Sequence, residues 1–113
     1  MATLDDLLNL NGAVAAGEFT VDGKLVDYKA TMDISPEFAA TWAQFCPTVT
    51  MLFNTLGAAF SRLSHLNCVP QSGWMYVGGD WAVAIGGNRA VFVERANADF
   101  NQLYQEVISG QQR

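Results

Sequence analysis

The sequence predicts an α+β fold in which helices pack on a five-stranded antiparallel sheet, with the element order α-β-β-α-β-β-β-α. Short apolar segments are separated by Asp22-Gly23, Gly78-Gly79 and Gly86-Gly87. Such pairs favour tight hairpins between antiparallel strands. One long helical segment separates the two-strand part from the three-strand part, which is typical of a sheet covered by helices. At 113 residues the chain is expected to form one domain, 1–113.

The first elements are predicted to be a short helix and a hairpin. Thr3 is a suitable N-cap for a helix over residues 4–10. Asn11-Gly12 is a typical helix end. Residues 13–20 and 25–29 then form the two strands of the hairpin.

The long helix is predicted to begin at Ser35-Pro36, since serine caps a helix and proline suits its first position. It is expected to run to residue 66. Pro47 lies inside it and removes one backbone donor, so we expect a kink or a break there. Three strands follow over residues 74–77, 81–85 and 90–94, and a last helix begins near Asn97 or Asp99 and runs through Ile108.

The composition narrows the class of protein. Charged residues make up only 15% of the chain, against about 25% in an average domain, which predicts extensive burial and favours an oligomer. The net charge is −5 and the six Lys and Arg residues are scattered, so nucleic acid is not an expected partner. The acidic N-terminus does not resemble a secretory signal. We therefore expect a cytoplasmic protein.

The stretch 38–61 carries no formal charge, but it is not expected to span a membrane. Polar residues such as Gln44 and Asn54 interrupt it, and basic anchors are missing from its N-terminal flank. Read as a helix, it has two neighbouring rows with heptad spacing. The large-residue row consists of Phe38, Trp42, Phe45, Val49, Leu52, Leu56, Ala59 and Leu63, and the small-residue row of Ala39, Ala43, Cys46, Thr50, Phe53, Gly57 and Phe60.

These two rows predict a homodimer. Large side chains suit packing on the chain's own sheet, whereas a row of small ones lets a second helix approach closely. The small-residue row is therefore the predicted dimer interface, across a two-fold axis. Trp74 and Tyr76 are added to it, because an apolar edge strand over residues 74–77 could pair with its symmetry mate. The alternative is that both rows serve one monomeric core.

The chain resembles the roadblock / dynein light chain domain over nearly its whole length. The resemblance rests on residues 4–10, the Gly17-Glu18-Phe19 strand with residues 22–26, the uncharged helix and the hairpins around Gly79-Asp80-Trp81 and residues 86–89. In detail it is most similar to a small family of stand-alone bacterial roadblock-like proteins without an assigned function, frequent in sulfur-metabolising bacteria. The resemblance implies a profilin-like sandwich without catalytic activity. It also implies dimers in which long helices pack together and sheet edges can join, acting as scaffolds or regulators of small GTPases or motor complexes.

Few residues suggest chemistry. His65 and Cys68 have a metal-like spacing, but one chain offers at most three candidate ligands with Cys46, fewer than a zinc site needs. Neither glycine pair matches a phosphate-binding loop. The single carboxylates on the strands have no nucleophile and base beside them. No cofactor, metal or catalytic residue is therefore expected.

The function predicted from the sequence is a non-enzymatic homodimeric interaction module, a scaffold or regulator, with a small GTPase among the candidate partners. The alternative is a module of bacterial sulfur metabolism that binds a small molecule or a sulfur species, using an aromatic pocket or Cys68. Cys68 is the candidate reactive thiol, although no basic neighbour in the sequence would lower its pKa.

Overall fold

The computed structural model describes residues 3–69 and 71–109. Its five strands form one antiparallel sheet in the order β2-β1-β5-β4-β3. The elements are α1 (Leu4–Leu8), β1 (Ala13–Phe19), β2 (Leu25–Ala30), α2 (Pro36–Ser64), β3 (Gly73–Gly78), β4 (Trp81–Gly86), β5 (Arg89–Glu94) and α3 (Phe100–Leu103). The predicted fold class and element order are confirmed. The predicted domain also includes residues 1, 2, 70 and 110–113, which lie outside the described residues.

The first helix is held by reciprocal capping. The backbone N–H of Asp6 donates to Thr3 Oγ1 (3.1 Å), and the backbone N–H of Thr3 donates to Asp6 Oδ2 (3.0 Å). These hydrogen bonds from Thr3 favour the carboxylate and hold the pKa of Asp6 below its usual value. The helix ends at Leu8, earlier than predicted, and the backbone of Asn9 closes it by donating to Asp6.

The sheet is covered on both faces. On one face α1, α3 and the turn after α3 enclose a core that includes Leu7, Val91, Val93, Leu103 and Val107. On the other face the first half of α2 covers a second core that includes Phe19, Trp42, Cys46, Val83 and Ile85. Both cores draw apolar residues from β4 and β5, because successive residues of a strand point alternately to the two faces of the sheet.

The hairpins around β4 follow the predicted turn chemistry. Gly79 and Gly87 occupy the first central position of two-residue turns and have φ values of 58° and 60°. A positive φ at this position alone defines a type II′ turn, whose twist matches that of the flanking strands. These turns fix the registers that place Trp74 opposite Ile85 and Phe92 opposite Val83.

The long helix α2 is continuous from Pro36 to Ser64 and is not split at Pro47. Its start is as predicted, with Ser35 Oγ accepting from the backbone N–H of Phe38 (3.0 Å). An internal proline costs on the order of 3 kcal/mol in a regular helix. Cys46, immediately before it, is buried against the sheet, and this packing holds the segment helical. His65 ends the helix in the left-handed region with φ 61°.

The C-terminal segment is more irregular than predicted. A short 3₁₀ turn over Arg95–Asn97 precedes α3, which Asp99 caps by accepting from the backbone N–H of Gln102 (3.1 Å). The helix then widens into a π-helical turn over Tyr104–Ile108. No helix in the described part of the chain is both long and apolar enough to cross a membrane.

Candidate interaction surface

The first half of α2 packs on the sheet through its small side chains. Ala39 and Cys46 are only 0% and 2% exposed, and Ala43 is equally buried. This reverses the orientation predicted for the two rows, since the small-residue row here faces the chain's own sheet. The close approach of helix to sheet needs these small side chains. We therefore remove Ala39, Ala43 and Cys46 from the proposed interface.

In the second half of α2 the small-residue row contacts the segment after the helix. Thr50 Oγ1 accepts from Trp74 Nε1 (2.8 Å), and the carbonyl oxygen of Thr50 accepts from Gln71 Nε2. A methyl group at Gly57 would lie 3.0 Å from the carbonyl oxygen of Cys68. Thr50 and Gly57 thus hold the returning chain in place and are not available to a second helix.

Most of the large-residue row faces outward instead. Its exceptions are Trp42, which is buried, and Val49 and Ala59, which are half-buried. Phe45 is 63% exposed and Leu63 is 76% exposed. Four further apolar side chains on this side of the helix are exposed to a similar degree, namely Phe38, Leu52, Leu56 and Phe60. We call these six residues the outward row. It has no charge to interrupt it, so the helix presents an apolar ridge to solvent.

A groove runs between the outward row and strand β3. It has a volume of about 580 Å³, and Trp42, Cys46, Val83 and Phe92 are among the residues that line it. Its walls are aromatic: Phe38, Phe45, Phe53, Trp74 and Tyr76. The Phe53 and Trp74 rings meet edge to face at 5.6 Å, a favourable geometry for aromatic pairs. The groove is therefore an apolar surface with aromatic walls.

Strand β3 forms one edge of the sheet and carries no charged residue. Tyr76 and Val77 are exposed on it. The other edge strand, β2, differs because it contains Asp27 and Lys29 and pairs with β1 through an irregular register beside Phe19. Charges and irregularities commonly prevent edge-to-edge pairing, so β3 is the edge left open to it.

The thiol of Cys46 is inert in this position. Burial raises its pKa to about 12, and the neighbouring Trp42 side chain offsets only part of that effect. The Trp42 Nε1–H is buried and has no hydrogen-bond partner among the described residues. The thiol, one helical turn away, is at most a weak acceptor for it. This pair is part of the groove's apolar floor.

The remaining candidates do not assemble into a chemical site. Cys68 is half-buried, its backbone N–H donates to Ser61 Oγ (2.8 Å), and its reactivity stays a prediction. His65 is exposed at the end of α2. The described residues contain no group of three or more His, Cys, Asp or Glu side chains that could hold a metal ion. Among the strand carboxylates, Glu18 pairs with Arg89 across the sheet (3.1 Å) and acts structurally.

Sequence reasoning missed Phe92 and Gln71. Phe92 lies at the centre of the aromatic contacts, with ring centroids 5.8 Å from Phe38 and Trp42 and 5.5 Å from Trp81. The alternation of Val91, Phe92 and Val93 indicated opposite faces, but not which face α2 would cover. Gln71 carried no signal, because its bond to the helix depends on the path of the loop.

Solved structures with this fold include two bacterial proteins. The gliding protein MglB from Thermus thermophilus superposes with a TM-score of 0.72 at 13% identity, covering 90% of this chain and 75% of that one. A roadblock/LC7 domain from Streptomyces avermitilis superposes with a TM-score of 0.70 at 15% identity, covering 96% of this chain and 87% of that one. A structure described as MglB with tetrameric arrangement superposes with a TM-score of 0.71 at 12% identity, covering 96% of this chain and 81% of that one. At these identities the likeness establishes the roadblock fold.

No curated protein matches the chain in sequence. A family profile described as uncharacterized conserved protein (DUF2173) matches residues 3–108, which include every helix and strand described above. The chain therefore belongs to the DUF2173 family and has the roadblock fold.

Proposed function

We propose that this protein is a homodimeric interaction module without catalytic activity, in which the outward row, the aromatic groove and strand β3 form the interface. One observation carries the proposal: an uncharged apolar surface extends along α2 and over the groove to an open sheet edge. Exposed apolar patches larger than a few hundred Å² usually mark interaction sites.

The size of this surface suits a stable dimer. The six side chains of the outward row are each about half exposed or more. At roughly 100 Å² for each of them, the row offers about 600 Å². A standard interface buries about 800 Å² on each partner, and the groove aromatics outside the row, Phe53, Trp74 and Tyr76, supply the remainder.

The proposed occupant is a second copy of this chain. Strand β3 can pair antiparallel with an identical strand about a two-fold axis, and the same axis brings the two α2 helices together. Such an interface is self-complementary and closed, as in most soluble homo-oligomers. An uncharged strand offers no like-charge repulsion against its own copy. The interface residues retained from the sequence prediction are Phe53, Phe60, Trp74 and Tyr76, joined by the outward row.

The dimer is proposed to act as a scaffold or regulator, with a small GTPase as the partner class. This part rests on the resemblance to roadblock domains and on the similarity to MglB structures, one of which is described as tetrameric. Fold alone does not fix a partner. The partner is tested by measuring binding of small GTPases from the source genome, loaded with GDP or with a non-hydrolysable GTP analogue. No binding in either state removes the GTPase role and leaves the dimer intact.

Sedimentation equilibrium tests the dimer. A chain of 12.3 kDa is expected to sediment with twice that mass at tens of micromolar. A single species of monomer mass at those concentrations refutes the homodimer.

A second candidate function is small-molecule binding in the groove, favoured by its volume of about 580 Å³ and its aromatic walls. The two functions separate in one experiment. A monomer that takes up an apolar fluorescent probe in the groove supports the second, and a dimer that excludes the probe supports the first.

A further inference from the structure

A second cavity lies at the N-terminal end of α2. It has a volume of about 410 Å³, and the side chains of Phe38, Trp81 and Phe92 line it together with residues 32–35. It shares Phe38 and Phe92 with the groove, whereas Trp81 and Asp33 belong to this cavity and not to the groove.

The three rings form a concave aromatic corner. Phe38 meets Phe92 at 79° with centroids 5.8 Å apart, and Trp81 meets Phe92 at 43° with centroids 5.5 Å apart. Each ring is only partly buried, so ring surface remains open to a ligand. Rings that meet at such different angles border one half-open volume on more than one side.

The charge at this cavity is negative. Asp33 is the only ionisable side chain among the described residues that line it, it is exposed, and it forms no ion pair with any described residue. The N-terminus of α2 contributes partial positive charge nearby. Glu37 in the first turn of the helix offsets that charge, and no Lys or Arg of the described chain lines the cavity.

We propose that this cavity binds a methylated ammonium group. The faces of aromatic rings attract cations, and aromatic cages suit quaternary ammonium groups. The methyl groups fit the apolar walls, while Asp33 complements the charge from the rim. An anion is repelled by Asp33 and by the ring faces, and a neutral ligand of the same shape gains no cation–π attraction. The group can come from a small molecule such as choline or from a trimethylated lysine side chain of a protein.

Titration of the native protein with choline chloride tests the site, observed through the indole N–H signals of the three tryptophans by NMR. The signal of Trp81 is expected to shift saturably, and that of Trp74, which lies outside the cavity, is expected to stay in place. The neutral isostere 3,3-dimethylbutan-1-ol is expected to bind about tenfold more weakly. Equal concentrations of sodium chloride control for ionic strength.

Two variants complete the test. Trp81→Leu removes a wall and also the NMR reporter, so its choline binding is measured by isothermal titration calorimetry beside the native protein. The substitution is expected to abolish saturable binding. Asp33→Asn changes an exposed side chain and is expected to weaken binding roughly two- to fivefold without affecting folding. Peptides with trimethyllysine or unmodified lysine distinguish the source: tighter binding of the trimethylated peptide than of choline assigns the site to a protein partner, and the reverse assigns it to a small molecule.

Equal affinity for choline and its neutral isostere overturns the proposal, as does unchanged affinity in both variants or the absence of any saturable shift. The cavity shares Phe38 with the proposed dimer interface, but Trp81 and Asp33, the two residues that the variants change, lie outside that interface. A failed dimer prediction and a failed cation site are therefore separate results.

Discussion

Replacing Phe45 with glutamate is expected to dissociate the dimer, whereas replacing Met51 with glutamate is not. Both residues lie in α2 and both are 63% exposed. Phe45 belongs to the outward row and also lines the groove. Met51 faces another side of the helix, in a cavity with Val21, Pro47 and Asn54. The pair is therefore matched in exposure and in the charge introduced.

The magnitude follows from the area lost. An aromatic side chain buries roughly 200 Å² when fully covered, so the exposed part of Phe45 corresponds to about 125 Å². At about 25 cal/mol per Å² this area is worth about 3 kcal/mol in each copy. If the interface covers only half of it, the two copies together still lose about 3 kcal/mol, which weakens the dimer more than a hundredfold. Desolvation of the new carboxylate adds to the loss.

The assay is sedimentation velocity over a range of protein concentrations, with far-ultraviolet circular dichroism to verify that both variants are folded. The expected result is a folded monomer for Phe45→Glu and a dimer for Met51→Glu. Equal dissociation of both variants would mean that general charge on α2, and not this face, controls association. An unchanged dimer in Phe45→Glu would place the interface elsewhere.

Two further predictions concern the second half of α2 and the cysteines. Thr50→Val removes the acceptor of the Trp74 indole N–H and is expected to lower the free energy of unfolding, measured by urea denaturation, by about 1 kcal/mol. Thr55→Val is the control, because the hydroxyl of Thr55 bonds only to its own helix. An equal loss of stability in both variants contradicts the role of the Thr50–Trp74 hydrogen bond. Iodoacetamide at pH 8 is expected to label Cys68 in the native protein and to leave Cys46 unlabelled. Burial raises the pKa of the Cys46 thiol to about 12, so this thiol stays protonated and unreactive at the pH of the assay. Mass spectrometry of the peptides checks this, and native labelling of Cys46 would contradict the described packing of α2.

The strands were predictable from the sequence because their turns carry specific chemistry. Gly79 and Gly87 take the positive φ that a two-residue hairpin requires. Such glycines therefore mark the ends of the short apolar strands on either side of them. Ser35-Pro36 likewise predicted the start of α2 to the residue. The local signals were therefore enough to define the element order and, with it, the fold class.

The orientation of α2 could not be predicted in the same way. A helix normally shows its buried side by contrast with a charged side, but residues 38–61 have no charge on any side. Both rows were apolar, and the choice between them rested on side-chain size alone. The helix lies close to the sheet, so Ala39 and Ala43 fit beneath it while Phe45 does not. Only the distance between helix and sheet decides this, and that distance is a tertiary property.

The loop after α2 limited the site prediction for a related reason. Gly57 looked like a contact for a second helix, yet the backbone at Cys68 occupies that space. The described part of residues 67–72 contains no regular element, so nothing in their pattern indicated that they would return along the helix.

The two sheet edges also determine how far an assembly through β3 can grow. Pairing of the two β3 strands would leave β2 as the free edge at either end of one continuous sheet. Asp27 and Lys29 place charges on that strand, and its register with β1 is already irregular. A further copy would meet a charged, irregularly paired edge with no matching uncharged strand. The unequal edges of one small domain would therefore stop growth at two copies and keep an apolar sheet from extending into a fibre.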